Sequence, residues 1–384
     1  MSPYPQIRPY FGGSAVAGRV RIDGRWYVND AGTFRPVFKS GLYLCVKSAA
    51  ERADFMDETR ALGFNGFRVF CGHLGQVNQT PEMARAILPT MLSEAAQRGL
   101  YVYVCACTGG GYDVEAHLSA VAQTCAEHAN AILEGANEIG HSSQSELVND
   151  VPRFLETCQR VIPTSVTWTL GAPVWTDEPT PEGTYPTDGG QFNDGHLDRG
   201  RPFWDQVRRV REIRAIADDT DKAAMSGEPI GADEQNDPGR READPTFFWT
   251  LGLLCRGFEV GGVFHSEDGL NGRTLRPNQR VCAQGYVDGG RAIPTAERLT
   301  FINAGWEGSP VSAANFDAVV RCYSFIVGNR GWTALIGIRP DPEKPGQILD
   351  PAVVWGGGWA PVGVIAERTA RHDGSRIQLV EIAR

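Results

Sequence analysis

The chain has no stretch of about 18 consecutive apolar residues, so it offers no candidate transmembrane helix. Its N-terminus, Met1-Ser-Pro-Tyr-Pro-Gln-Ile-Arg-Pro-Tyr, lacks the apolar core of a secretory signal. These absences predict a protein with no membrane partner, either cytoplasmic or exported without a recognisable signal peptide. A basic surplus is missing too: 37 Lys and Arg stand against 46 Asp and Glu, a formal net charge of -9. Displacing counterions from a phosphate backbone needs the opposite balance, which argues against a nucleic-acid partner. The nine cysteines form no dense framework of spacings, and an odd number cannot pair completely. Cys45, Cys71, Cys105, Cys107 and Cys255 lie in apolar runs and read as reduced core thiols. Cys105-Ala-Cys107 has no second pair at a metal-binding spacing. Asp194-Gly-His-Leu-Asp198-Arg199 fits no strong ligand motif and reads as a charged loop anchored by salt bridges. The seven histidines are dispersed. No metal and no cofactor is expected. Internal repeats and low-complexity segments are absent.

What is present is a rhythm. The 384 residues suffice for one domain of roughly 250–300 residues plus an accessory piece. Residues 17–35 alternate around the turns Asp23-Gly24 and Asn29-Asp30-Ala-Gly32, as a β-hairpin does. Apolar runs suited to buried parallel strands then alternate with amphipathic helical stretches. The runs are Val37–Val46, Gly66–Gly72, Leu100–Cys107, Ala131–Ala136, Ser165–Leu170, Gly190–Asn193, Lys222–Ser226 and Gly262–His265. Between and after them the pattern predicts helices near Ala49–Leu62, Pro81–Arg98, Val114–His128, Glu146–Arg160, Pro202–Ala217, Thr246–Gly257 and Ala313–Val327. Eight strands alternating with helices predict the α/β class and a (β/α)8 TIM barrel. Beyond Trp332 strands return, at Val353–Trp355, Val362–Glu367 and Ile377–Ile382. With residues 17–35 they would form a small accessory β-sheet. The expected organisation is 1–35 as an N-terminal extension, 36–330 as the barrel and 331–384 as a C-terminal β segment.

In such a barrel the loops after the strands form the active face. The groups that chemistry needs fall at those strand ends: Arg68, His73, Asn137, Glu138, His196, Glu228 and His265. Two of them are carboxylates about ninety residues apart, each closing an apolar run. Cleavage of a glycosidic bond requires such a pair, one to protonate the leaving oxygen and one to attack the anomeric carbon or activate water. Trp175, in the long loop 171–190, is placed to stack a sugar.

These residues resemble the clan A glycoside hydrolases, the retaining barrel enzymes with catalytic glutamates after strands four and seven. The likeness is carried by Glu134-Gly-Ala-Asn-Glu138, Met225-Ser-Gly-Glu228-Pro and Phe67-Arg68-Val69, with the opening segment Asp23–Gly32 in support. It departs at strand six, where Asp194-Gly-His196 stands for a His-x-Tyr-like element. It departs again at strand eight, where Phe264-His265 stands where many members place a tryptophan. The resemblance implies Glu138 as acid/base and Glu228 as nucleophile, acting on an oligosaccharide, polysaccharide or glycoside. It implies that Arg68 keeps the nucleophile ionised and that Asn137 meets the sugar 2-hydroxyl.

Plainer readings stand beside these. Asn137-Glu138 suits the start of a helix, Asn as N-cap and Glu in the first turn. Arg68 suits an ion pair with Glu134 in the core. Glu234, Glu267 or Asp268 is an alternative to Glu228. His73, His196 and His265 suit a satisfied rim. A carbohydrate-binding barrel without turnover, serving recognition or structure in a larger assembly, is the rival for the whole chain.

Overall fold

Three short strands open the described part of the chain: β1 (Arg21–Asp23), β2 (Trp26–Asn29) and β3 (Gly32–Phe34), paired antiparallel in sequence order. The expected hairpin is thus a three-stranded meander. Its first turn places Gly24 at φ 56°, a conformation that a side chain makes costly. The computed structural model describes residues 16–172, 190–196, 220–232 and 245–291, a few positions between 210 and 217, and the backbone of strands within 299–382.

The barrel strands are β4 (Val37–Ser40), β5 (Gly66–Phe70), β6 (Tyr101–Cys107), β7 (Ala131–Ala136), β8 (Trp168–Thr169), β9 (Phe192–Gly195), β10 (Ala223–Ala232) and β11 (Val260–Ser266). They form one eight-stranded sheet, parallel at each laddered pair, in which β11 returns to pair with β4. The ring closes between β8 and β9 through Gln191, whose backbone N–H donates to Trp168 O at 2.9 Å. Its side-chain oxygen accepts the Trp168 N–H at 3.2 Å. Around the ring lie α1 (Ala49–Ala61), α2 (Pro81–Gln97), α3 (Val114–Glu127), α4 (Glu146–Asn149), α5 (Val151–Val161), α6 (Pro245–Gly257), α7 (Glu267–Leu270) and α8 (Pro277–Arg291). The fold is a (β/α)8 barrel with an accessory sheet.

Strand alternation divides the core into two layers. Outward residues such as Phe67, Val69, Val104 and Leu133 pack against Leu88, Met91, Leu118 and Phe154 of the helices. Inward residues Phe38, Tyr101, Tyr103, Ile132, Phe192, Met225 and Val263 meet Val20, Tyr27 and Phe34. The meander thereby plugs the floor of the barrel.

One ion cluster lies in the outer layer. Lys39 Nζ is buried 2.6 Å from Glu58 Oε2 and sits 4.1 Å from the Phe55 ring centroid. Burial lowers the Lys39 ammonium to about 8, against the opposing pull of Glu58. Glu58 also accepts the Leu275 N–H at 2.9 Å and Arg280 Nη2 at 2.6 Å. A single carboxylate in α1 therefore joins β4, the first barrel strand, to α8.

The structure corrects several expectations. The first strand stops at Ser40, because Gly41 leads into a 3-10 turn, Leu44–Val46. The helix expected over 146–160 is two, since Pro152 has no N–H to continue the ladder and Asp150 caps a new start by accepting the Arg153 N–H. Residues 316–327 are a strand, β14, rather than the ring-closing helix; the run Phe316-Asp-Ala-Val-Val-Arg-Cys-Tyr-Ser-Phe-Ile-Val327 is rich in β-branched and aromatic residues. Helix α8 occupies that place instead. The C-terminal strands β12 (Leu299–Glu307), β13 (Val311–Ala313), β14 (Phe316–Val327), β15 (Arg330–Pro340), β16 (Ile348–Gly356) and β17 (Ala360–Pro361) pair antiparallel with one another. The last two, β18 (Glu367–His372) and β19 (Ile377–Ile382), form a hairpin. Among the described residues none of these pairs with the meander, so the accessory strands build separate sheets. The helix expected over Pro202–Ala217 lies largely outside the described residues. The eight cysteines described are buried and free, Cys45, Cys71, Cys105, Cys107 and Cys255 among them. Cys105 and Cys107 belong to different apolar clusters.

Candidate active site

Parallel register sets the inward residues of successive strands at shared levels. Arg68 of β5 lies opposite Tyr103 of β6, Cys105 of β6 opposite Glu134 of β7, and Asp194 of β9 opposite Met225 of β10. Just above the apolar floor these strands carry polar groups inward, and the central one is Arg68. Its Nε donates to Glu134 Oε2 at 2.9 Å and its Nη2 to Glu134 Oε1 at 2.7 Å. The same Nη2 donates to Asn137 Oδ1 at 2.9 Å, and Nη1 donates to Gly227 O at 2.9 Å. The guanidinium carbon stands 4.9 Å from the Phe70 ring and 5.7 Å from the Tyr103 ring, an attraction to the π faces that its planarity permits. One buried cation thus links β5, the end of β7 and the middle of β10. The plainer expectation for Arg68, a core pair with Glu134, is met, and the side chain does more besides.

Asp194 is the second hub. Tyr103 O–H donates to its Oδ2 at 2.5 Å and the Gly227 N–H donates to its Oδ1 at 2.6 Å. Burial, with the charge of Glu134 adding to it, pushes this carboxyl up to about 7; Arg68, Tyr103 and the Gly227 N–H pull the other way. A Cβ built on Gly227 would fall 2.3 Å from Asp194 Oδ2, so the position has no room for a side chain. The expectation that Asp194 belongs to a charged loop is therefore corrected: it is a buried strand residue, two after the inward Phe192.

Glu134, Asp194 and His196 each bring a ligand-type atom within 4.8 Å of the others. Both oxygens of Glu134 are already bonded to Arg68, and both oxygens of Asp194 accept hydrogen bonds. The guanidinium supplies the positive charge that a metal ion would bring to these carboxylates.

Beyond β7 the chain turns sharply. Asn137 N–H donates to Cys107 O at 3.1 Å, and the Gln144 side chain donates to Asn137 O. Glu138 has φ 44°, in the left-handed region that non-glycine residues enter at a cost. The Ile139 N–H bonds Ala172 O at 2.9 Å and the His141 N–H bonds Glu138 O at 3.0 Å, pinning the turn. The Glu138 side chain is 33% exposed, and its Oε1 lies 4.0 Å from His196 Nδ1. Asn137-Glu138 does not begin a helix; the next one starts at Glu146.

The structure brings together Arg68, Asn137, Glu138 and His196 at the C-terminal ends of β5, β7 and β9. Glu228 belongs to β10, but its side chain lies outside the described residues. Between Ser226 and Ile230 β10 takes four steps where β11 takes two, Gly262 to Phe264, so Glu228 sits in a bulge. His265 is buried in β11, opposite Gly231 of β10. His73 is exposed on the loop after β5, where its N–H bonds Thr108 O at 2.9 Å, and stands at the rim. Trp175 and Glu234 lie outside the described residues. Glu267 and Asp268 open α7 and pair with Arg276 at 3.3 and 2.8 Å. The polar anchors that the pattern did not single out are Tyr103, Gln144 and the carboxylate of Asp194. For Tyr103 and Asp194 the only signal was a polar atom at an inward strand position; Gln144 lies on the loop between β7 and α4, where the sequence marks nothing.

No protein-family model matches the chain, and no curated protein matches it by sequence. Solved structures do match. A glycoside hydrolase family 5 structure from Bacteroides vulgatus superposes with a TM-score of 0.58 at 12% identity, over 87% of this chain and 82% of that one. A second glycoside hydrolase gives 0.58 at 13% identity, over 85% of each chain. An endo-1,4-β-mannanase from Rhizomucor miehei gives 0.50 at 12% identity, over 70% of this chain and 98% of that one. At these identities the likeness is one of fold: the chain shares the barrel of these hydrolases.

Proposed function

We propose that the chain is a glycoside hydrolase that cleaves an O-glycosidic bond by retaining double displacement, with Glu138 as acid/base and Glu228 as nucleophile. The observation that carries this reading is the reach of Arg68, which bonds both Asn137, the residue before Glu138, and Gly227, the residue before Glu228. One guanidinium thereby holds the residue that precedes each of the two proposed carboxylates. The left-handed backbone at Glu138 and the bulge around Glu228 add support, since strain and bulges gather at active sites.

In the first step Glu138 protonates the departing oxygen while Glu228 attacks the anomeric carbon, giving a glycosyl ester and a free alcohol. In the second, Glu138 removes a proton from water as that water attacks the same carbon and releases Glu228. Retention requires the carboxyl groups about 5–5.5 Å apart. Partial exposure lets Glu138 exchange its proton with solvent. Asn137 commits Oδ1 to Arg68, which leaves its amide NH2 to bond the sugar 2-hydroxyl. His196 lies beside Glu138, and we assign His265 and His73 to the same cleft; Trp175, assigned to sugar stacking, lies outside the described residues. The substrate is an oligosaccharide, polysaccharide or glycoside.

The test is hydrolysis of an aryl-glycoside panel, beginning with β-mannosides, by wild type, Glu138→Gln and Glu228→Gln. Turnover lost in both variants, with azide restoring only one of them, assigns each role. Activity surviving both substitutions would sink the assignment. Sugar binding without turnover in wild type would instead favour a non-catalytic carbohydrate-binding barrel.

A further inference from the structure

We propose that Asp194 is a positioning residue that, with Arg68, holds the Gly227 backbone and so aims the side chain of Glu228. The inference rests on the reading of Glu228 as the attacking carboxylate. Its basis is where the β-ladder ends. On one side β10 pairs with β9 up to Ser226 opposite Gly195; on the other it pairs with β11 up to Ser226 opposite Gly262 and resumes only at Ile230. Gly227 lies just past the last rung with β9 and at the start of the break in the ladder with β11, where neither neighbouring strand pairs with it. There two side chains take over from the ladder. Asp194 accepts the Gly227 N–H at 2.6 Å, and Arg68 donates to the Gly227 carbonyl at 2.9 Å. That carbonyl belongs to the peptide whose nitrogen is Glu228's own. The two consecutive peptide planes before Glu228 are therefore each held by one hydrogen bond.

The Asp194 side chain is itself fixed. Tyr103 O–H holds its other oxygen at 2.5 Å, and the absence of a Cβ on Gly227 lets the carboxylate lie against the backbone. Around it stand Arg68 of β5, Tyr103 of β6, Glu134 of β7 and, from the meander, Tyr27. An amide at this position would preserve the geometry: its oxygen accepts the Gly227 N–H and its NH2 donates to the Tyr103 oxygen. A methyl group preserves neither.

The experiment compares Asp194→Ala, Asp194→Asn and Tyr103→Phe with wild type. It follows steady-state kinetics on the best glycoside of the panel and the rate at which a 2-fluoro-glycoside labels Glu228, read by mass spectrometry. Misplacement by about an ångström costs on the order of 100-fold. Asp194→Ala is therefore expected to lose about 100-fold in kcat with KM little changed, labelling Glu228 more slowly in parallel, and Asp194→Asn to recover most of both. Tyr103→Phe, a milder change that keeps the proposal open to test should Asp194→Ala not fold, is expected to lower kcat alone. Wild-type kcat in Asp194→Ala or Tyr103→Phe, or an Asp194→Asn as impaired as Asp194→Ala, would overturn the proposal while leaving the glycosidase reading intact. Absence of both turnover and labelling in wild type would overturn the glycosidase reading, and this proposal with it, and shows itself before any variant is made.

Discussion

Arg68 and Glu134 meet side-on inside the barrel, two parallel hydrogen bonds of 2.9 and 2.7 Å joining residues whose side chains are 1% and 0% exposed. Such a pair is expensive to desolvate and more expensive to break, because the survivor is left as a buried charge. Arg68→Met is therefore expected to lower stability by about 3–5 kcal/mol, read from urea unfolding. Arg68→Lys keeps the charge and loses the fork that reaches Asn137 and Gly227 together, so it should retain more stability than Arg68→Met yet still lose activity. Equal stability of the three proteins would show that the pair is not what holds these strands.

Backbone strain at Glu138 sets stability against function. Glycine enters the left-handed region without penalty and alanine does not. Both Glu138→Gly and Glu138→Ala remove the proposed acid and should be inactive, but Glu138→Gly should be the more stable by about 1 kcal/mol. Thermal melts of the two variants decide it. Identical melting would mean that the loop relaxes out of its strained shape once the carboxylate is gone.

Stability should depend on pH through Asp194. Its carboxyl is raised from 3.8 to about 7 by burial and by Glu134, so between those values the folded protein holds a proton that the unfolded chain has released. The associated stability is fully present below the unfolded value and is lost as pH rises through about 7. Asp194→Asn cannot titrate. The stability of wild type relative to Asp194→Asn should therefore fall as unfolding is measured from acid to neutral pH. A difference independent of pH would contradict this assignment.

Gly227 and Asp194 should be energetically coupled. Gly227→Ala drives a methyl to 2.3 Å from Asp194 Oδ2 and is expected to destabilise the protein and slow catalysis. Adding Asp194→Ala makes the space, so the double variant should be less unstable than the two single effects summed. Simple additivity in the double-mutant cycle would remove the contact from consideration.

The parts of this protein that were legible in its sequence are those where one physical signal dominates. Strand β7, Ala131–Ala136, was read residue for residue, because a buried parallel strand is a continuous apolar run with sharp ends. Asn137, Glu138, Arg68 and His196 stood out as polar groups at such ends. Tyr103 and Asp194 did not, since a polar residue within an apolar run reads equally as a core group or a site group until register places it. Residues 316–327 were misread because periodicity alone does not separate a short apolar strand from a buried helix. Helix α8 was missed for the opposite reason. Its Gly285, Gly289 and Gly290 depress helix propensity. Yet a Cβ on Gly289 would fall 1.8 Å from Trp249 O, and one on Gly252 of α6 2.0 Å from Tyr286 O. The glycines that hide the helix from local reading are what let it press against its neighbour.

The buried carboxylate of Glu58 has a consequence for how the molecule is made. Lys39 finds it 19 residues away, while Leu275 and Arg280 come from 217 and 222 residues further along. During synthesis the N-terminal units leave the ribosome long before α8 exists to cover them. Contacts of such sequence separation are late and slow to form. A nascent chain stalled short of Leu275 therefore carries an unfinished ring, in which Glu58 has Lys39 but neither Leu275 nor Arg280.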